Sequence, residues 1–201
     1  MASIERICRM KDVIIPHRLR TLNGGLSAIK LERRFGPLEM MDVMVDAGDG
    51  SQSSEYRGVL SALTQPLITV AVINARCLLE FLGLGVNSKS RPPTLNVSCK
   101  ARRQGDVGIE NFSDPTGKLL NALTPTFAAA ILGRAADFHS LDSAWAATYT
   151  IANQRLAHST EDEILDKRNM DDRMGMAFET IPELVCRAFY DKLGGIRPIL
   201  K

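Results

Sequence analysis

The longest apolar stretch of the chain, from Leu67 to Gly85, sets the strongest constraint on what this sequence can fold into. Its side chains alternate between apolar and polar with the period of a helix, so that one face is almost wholly apolar. The residues on that face are Leu67, Val70, Ala71, Asn74, Cys77, Leu78 and Phe81. Because Asn74, Arg76 and Glu80 interrupt the stretch, the pattern predicts a buried amphipathic helix and argues against a membrane span.

The composition also favours helices. Aromatic residues make up only 5% of the 201 residues, whereas hydrophobic residues together make up 45%. The core must therefore be built mainly from aliphatic side chains and methionine, which suits helices better than a β-sandwich or a β-barrel. A chain of this length can form one domain with a sizeable core. Its net charge of +2 is too small to point to nucleic acid or to a membrane as the partner.

The cysteines and the N-terminus bear on cofactors and on location. Cys8, Cys77, Cys99 and Cys186 are far apart, and no Cys-x-x-Cys pair is present to indicate a zinc or redox site. The first residues carry several charges and lack the apolar segment of a signal peptide. We therefore expect a reduced, soluble, cytoplasmic protein with no metal, no cofactor and no membrane partner.

The remaining periodicity predicts an all-α chain of six to eight helices, with helix in more than half of the residues. Residues 1–50 are expected to form an N-terminal extension that packs on a bundle of residues 51–201, the two making a single all-α domain. Residues 38–45 are apolar and rich in methionine, and they indicate an additional short helix. Residues 86–115 have no helical period. Apolar and polar side chains alternate over residues 95–101, as they do in a strand. Because no partner strand is evident, we predict a long ordered loop.

Two polar positions stand out on the predicted helices. Arg76 and Glu80 are four residues apart and can form an ion pair, either a local pair near the end of the helix or part of a functional site. The segment 153–160 follows an apolar helix face that includes Tyr149, and it contains His158, one of only three histidines. A histidine near the end of a helix can also serve a structural purpose, by interacting with the helix dipole and the last carbonyl groups.

Three short motifs follow one another along the chain. They are Asn74-Ala-Arg-Cys-Leu-Leu-Glu-Phe-Leu82, Asp106-Val-Gly-Ile-Glu-Asn-Phe112 and Asn153-Gln-Arg-Leu-Ala-His-Ser-Thr160. Together they resemble the HEPN-like superfamily of small helical-bundle proteins, and in particular its uncharacterised bacterial members. The resemblance covers roughly residues 60–165. It implies an antiparallel helical bundle with additional short helices and a long ordered loop, assembled as a homodimer.

The resemblance also implies a catalytic possibility. Catalytic members of the superfamily are metal-independent endoribonucleases that use an arginine and a histidine four to six residues apart, in two symmetry-related copies at a dimer interface. The histidine acts as acid or base near neutral pH, and the arginine clamps the phosphate. In this chain His158 takes the place of the histidine, whereas neutral Asn153 takes the place of the arginine. Arg155 and Arg76 are the candidate substitutes, with Glu80 orienting Arg76.

Two functions follow from these residues. The first is a non-catalytic HEPN-like interaction module, of a toxin or defence system, that binds a partner protein, a nucleotide or RNA in a groove around His158. The alternative is a toxin-like, metal-independent endoribonuclease that uses His158 with Arg155 or Arg76. The missing arginine and the low net charge favour the module. The candidate contacts to RNA phosphates are the residues of the densest basic cluster, Lys100, Arg102 and Arg103.

Overall fold

The computed structural model of the protein describes residues 3–46, 48–87, 90–98, 105–157 and 167–199. Helix makes up about 61% of the structure, which confirms the prediction that more than half of the residues are helical. Strands make up 14% and form two antiparallel two-stranded sheets. The predicted all-α fold class is therefore wrong, and the protein is a largely helical fold with two β-hairpins.

The first half of the chain contains three helices and both hairpins. In chain order its elements are α1 (Ile4–Arg9), a first π-turn (Met10–Ile14), α2 (Ile15–Phe35), β1 (Met40–Asp46), β2 (Gln52–Val59), α3 (Leu60–Phe81), β3 (Leu84–Asn87) and β4 (Thr94–Val97). The second half is helical apart from its connections. Its elements are a short 3-10 turn (Ile109–Asn111), α4 (Pro125–Ile131), a second 3-10 turn (Ala135–Asp137), α5 (Phe138–Ala157), α6 (Lys167–Val185) and a second π-turn (Cys186–Tyr190).

Four long helices form the body of the fold. α2 packs on α3, α3 on α5, α5 on α6, and α6 back on α2, so that the four surround one core. Most of the core side chains are aliphatic, as the composition predicts. The indole N–H of the fully buried Trp145 donates to the hydroxyl of Thr180 at 2.8 Å, so the polar atom of this side chain stays paired in the core. α2, which falls within the predicted extension 1–50, is itself one of the four bundle helices.

The first hairpin stands where a short helix was predicted at residues 38–45. β1 pairs with β2 in antiparallel fashion, with a β-bulge where the register shifts between Val43 and Met44. In the turn, the carboxylate of Asp46 accepts the backbone N–H of Gly48 at 2.8 Å, and Gly48 adopts a positive φ of 82°. Aspartate and glycine are favoured in such turns. Because most side chains on both strands are exposed, the sequence lacks the apolar alternation that marks a half-buried strand.

The second hairpin lies partly in the segment that was predicted to be a loop without a sheet. β4 contains the strand-like residues Leu95 and Val97, and its partner is β3, which follows α3 directly. The partner strand was hidden because Leu84 continues the apolar stretch of α3. The helix ends at Phe81, and Gly83 two residues later has a φ of 86°, the left-handed conformation that follows many helix ends. The carboxylate of Asp142 on α5 accepts the backbone N–H of Leu95 at 3.0 Å and ties the hairpin to the bundle.

α3 is the one described helix that is long and apolar enough to cross a membrane, with a mean hydropathy of 1.4 over its most apolar window. A single such helix is weak evidence for a membrane span, because the core helix of a soluble protein has the same length and composition. α3 packs on α2, α5 and α6, and its buried face includes Ala71, Ala75 and Leu78. It is the central helix of the bundle, as its amphipathic pattern predicts.

Replacing Gly25 with alanine should destabilise the fold, because an added Cβ would overlap the Cβ of Ala71 and press on the ring of Phe178. Overpacking of this kind costs about 1–3 kcal/mol. The neighbouring Gly24 has no atom within 4 Å of an added Cβ, so Gly24→Ala is the matched control. It should stabilise α2 by up to about 1 kcal/mol through helix propensity alone. Urea unfolding measures both effects, and equal free energies of unfolding for the two variants would contradict the close packing.

Candidate functional site

A polar cluster joins α3 to α5. Its members are Arg76 and Glu80 of α3 and Tyr149 of α5, and we call it the Arg76 cluster. Nε of Arg76 donates to Oε1 of Glu80 at 3.0 Å, and the hydroxyl of Tyr149 donates to the same oxygen at 2.6 Å. The guanidinium of Arg76 also lies over the ring of Tyr149, 5.3 Å from its centroid. Each of the three side chains therefore contacts the other two.

Burial and charge hold this cluster in one protonation state. Partial burial, and then the hydrogen bond and charge of Glu80, raise the pKa of the Tyr149 hydroxyl to about 12. Partial burial lowers the pKa of Arg76, but the hydrogen bond and negative charge of Glu80 outweigh this effect, and the net shift is upward. Near neutral pH, Tyr149 is therefore a neutral donor and Arg76 a fixed cation. Neither group titrates there, so neither suits general acid–base catalysis.

Of the residues predicted for the site, the structure brings together Arg76 and Glu80. Asn153 lies on α5 and is half-buried. The side chain of Arg155 and the whole of His158 lie outside the described residues. The predicted contacts to RNA phosphates also lie outside them, and these are Lys100, Arg102 and Arg103. The roles predicted for these six residues stay predictions.

Sequence reasoning did not assign Tyr149 to the site. The helical period placed it on the apolar face of its helix, where a tyrosine packs its ring against the core. The hydroxyl of Tyr149 could have indicated a polar contact, because a tyrosine on a buried face needs a hydrogen-bond partner. A carboxylate such as Glu80 on a neighbouring helix is the strongest acceptor for it.

A pocket of about 390 Å³ lies between the N-terminal helical segment and the C-terminal half of α3, and we call it the arginine pocket. The charged groups that line it are Arg6, Arg9, Arg18, Glu80 and Asp106. Apolar contributions come from Met10, Ile14, Phe81 and Val107. Nη1 of Arg6 donates to the carbonyl of Gly105 at 3.4 Å. Glu80 is therefore shared between this pocket and the Arg76 cluster.

The first π-turn is what brings the arginines together. In an uninterrupted α-helix, residues nine apart are rotated by about 900° around the axis and so lie on opposite faces. Arg9 and Arg18 are nine residues apart, yet both line the pocket. The π-turn between them contains one extra residue, because its hydrogen bonds span five residues instead of four. This insertion rotates Arg18 by about 100° toward the face that carries Arg9.

Comparison of the chain with protein-family models, with curated proteins and with solved structures gives no match. The resemblance to the HEPN-like superfamily therefore stays a prediction. Among the described residues, no group of three or more histidine, cysteine, aspartate or glutamate side chains is placed to hold a metal ion. Across that part of the chain, the chemistry of the candidate site is the chemistry of arginine, carboxylate and phenol groups.

Replacing Tyr149 with phenylalanine should destabilise the fold, because the variant loses a hydrogen bond to a charged acceptor. Such bonds contribute about 1.5–3 kcal/mol. Tyr56 lies on the exposed hairpin strand β2, so Tyr56→Phe is the matched control and should leave the free energy of unfolding nearly unchanged. Urea unfolding at neutral pH measures both variants. A Tyr149→Phe variant as stable as the parent would show that the cluster adds nothing to the α3–α5 contact.

The raised pKa of Tyr149 adds a pH signature to this test. Its pKa of about 12 in the folded protein lies above the ordinary value of 10.0, so its contribution is complete below pH 10 and is lost as the pH rises through about 12. The parent should therefore lose more stability over this interval than Tyr149→Phe. Parallel stability curves for the two proteins between these pH values would contradict the proposed hydrogen bond.

Proposed function

We propose that the protein is a non-catalytic interaction module of the HEPN-like type that acts as a homodimer in the cytoplasm. The observation that carries the proposal is the Arg76 cluster. Arg76 is the candidate catalytic arginine whose side chain lies within the described residues, and its Nε and its ring-facing surface are already engaged by Glu80 and Tyr149. A catalytic arginine presents its N–H groups to the reacting phosphate. In this cluster Glu80 holds the Nε–H of Arg76 and Tyr149 covers the face of the guanidinium, so the side chain links α3 to α5.

The predicted partner of His158 supports the same conclusion. The HEPN-like resemblance places Asn153 where a catalytic member has its arginine, and the side-chain amide of Asn153 is neutral. A neutral amide does not supply the positive charge that stabilises the phosphate in the transition state. The alternative function, a toxin-like ribonuclease that uses His158 with Arg155 or Arg76, requires cleavage of RNA and is decided by experiment.

α3 offers a surface for the interaction. Leu63, Leu67 and Val70 are spaced by four and three residues and so form one stripe, in which 38–45% of each residue is exposed. No charged residue occurs in α3 before Arg76. An apolar stripe that lacks charge has the composition of an interface core. We infer that this stripe is the contact of a symmetric dimer, in which the patch meets its own copy.

We expect no metal-independent cleavage of RNA by the purified protein. The assay uses a structured RNA with EDTA from about pH 6 to pH 8, the range over which a histidine changes its charge. A metal-independent ribonuclease in the same buffer shows that cleavage is detectable. If the parent cleaves the RNA, and His158→Ala abolishes the cleavage without changing the melting temperature, the protein is a ribonuclease and the proposal is wrong.

Light scattering at micromolar concentration should give the mass of a dimer. Leu67→Lys places a charge in the stripe and should weaken the dimer by about 30-fold or more, as expected for the loss of about 2 kcal/mol at an interface hot spot. Leu119→Lys is the matched control, because Leu119 is 60% exposed and lies outside α3. A monomeric parent, or equal weakening of the dimer by both substitutions, would rule out the stripe as the interface.

A further inference from the structure

The arginine pocket carries positive charge that the described structure does not use. Arg9 and Arg18 both line it, and within the described residues neither guanidinium has a hydrogen bond or an ion pair. The third arginine, Arg6, is held by the carbonyl of Gly105. A guanidinium is a planar group with five N–H donors, and it binds phosphate or carboxylate through two parallel hydrogen bonds. Two such groups that converge on one pocket form a binding site for an anion.

The carboxylates of the pocket add a second chemistry. Glu80 and Asp106 also line it, and ionised carboxylates accept hydrogen bonds but do not donate them. Each carboxylate has about four lone-pair positions, so hydroxyl groups of an occupant can donate to them beside the partners that these residues already have. The pocket thus fits a ligand that has both an anionic group and hydrogen-bond donors.

We propose that the arginine pocket binds a phosphate monoester with free hydroxyl groups, the chemistry that a sugar phosphate and a nucleoside monophosphate share. The phosphate lies between Arg9 and Arg18, and the hydroxyl groups face Glu80 and Asp106. Phosphate suits two guanidinium groups better than a carboxylate does, because it offers more acceptor oxygens. The volume of about 390 Å³ lies in the range of roughly 300–1,000 Å³ for small-molecule sites.

The proposed ligand site goes beyond the proposed interaction module and does not depend on it. Of the Arg76 cluster, only Glu80 lines the pocket, and the Leu63–Val70 stripe contributes no residue to it. A ribonuclease assay or a dimer measurement therefore leaves the proposal about the pocket unaffected.

Isothermal titration calorimetry at low ionic strength tests the ligand class. The probes are ribose 5-phosphate, adenosine monophosphate, inorganic phosphate and ribose. We expect both monoesters to bind, inorganic phosphate to bind at least about tenfold more weakly than the better monoester, and ribose not to bind. Tighter binding of adenosine monophosphate would identify the ligand as a nucleoside monophosphate, and tighter binding of ribose 5-phosphate would identify it as a sugar phosphate.

Variants of the arginines test the location of the site. Arg9→Gln and Arg18→Gln should each weaken binding of the better monoester by about tenfold or more, because each loses a charge-assisted pair of hydrogen bonds. Arg18→Lys keeps the positive charge but loses the planar guanidinium group. Its affinity for the monoester should therefore lie between that of Arg18→Gln and that of the parent. Arg20→Gln removes an exposed arginine of α2 outside the pocket and should leave binding within about twofold of the parent.

The proposal is overturned if no monoester binds at millimolar concentration, or if Arg20→Gln weakens binding as much as Arg18→Gln.

Discussion

The close packing of α2 on α3 is the contact on which the rest of the structure depends. Gly25 lets the backbone of α2 approach Ala71, with no room for a side chain between them. Further along the same contact, the buried carboxylate of Glu32 accepts hydrogen bonds from the hydroxyl of Thr64 and, at 2.8 Å, from the amide of Gln65. A buried carboxylate is costly unless it is hydrogen-bonded. Sliding α2 by one turn would break both bonds, so they select a single register for the two helices.

That register decides what the N-terminal helical segment meets. α2 continues back through the first π-turn into α1, which lies beside the C-terminal half of α3 and there forms the arginine pocket. The hydroxyl of Tyr190 in the second π-turn donates to the carbonyl of Lys11 in the first at 2.7 Å. Phe189 packs edge-to-face on Phe81 and on Phe112, with centroid distances of 5.0 and 4.7 Å. Segments from the start, middle and end of the chain therefore meet at one end of the bundle, and their contacts hold both π-turns in place.

Sequence reasoning predicted the parts of the fold that a helical period encodes. α3 and its Arg76–Glu80 pair follow from spacing within one helix, and both are present. The hairpins were missed because most side chains of β1 and β2 are exposed, so apolar and polar residues do not alternate clearly along them, and because β3 merges with the apolar end of α3. Tyr149 and the π-turn depend on partners far away in the chain. Tyr149 donates a hydrogen bond to Glu80, 69 positions away in the chain. Lys11 in the first π-turn accepts a hydrogen bond from Tyr190, 179 positions away. No local pattern encodes contacts of that range.

Glu80 links the two parts of the candidate site. Its Oε1 accepts hydrogen bonds from Arg76 and Tyr149, and the same side chain lines the arginine pocket. A carboxylate has about four lone-pair positions, so its hydrogen bonds to Arg76 and Tyr149 do not exhaust its capacity as an acceptor. The positive charge of Arg76 also balances the negative charge of Glu80 without involving the arginines of the pocket. The charges of Arg9 and Arg18 are therefore left for the phosphate group of the proposed ligand, and the Arg76 cluster that links α3 to α5 also helps to keep the pocket positively charged.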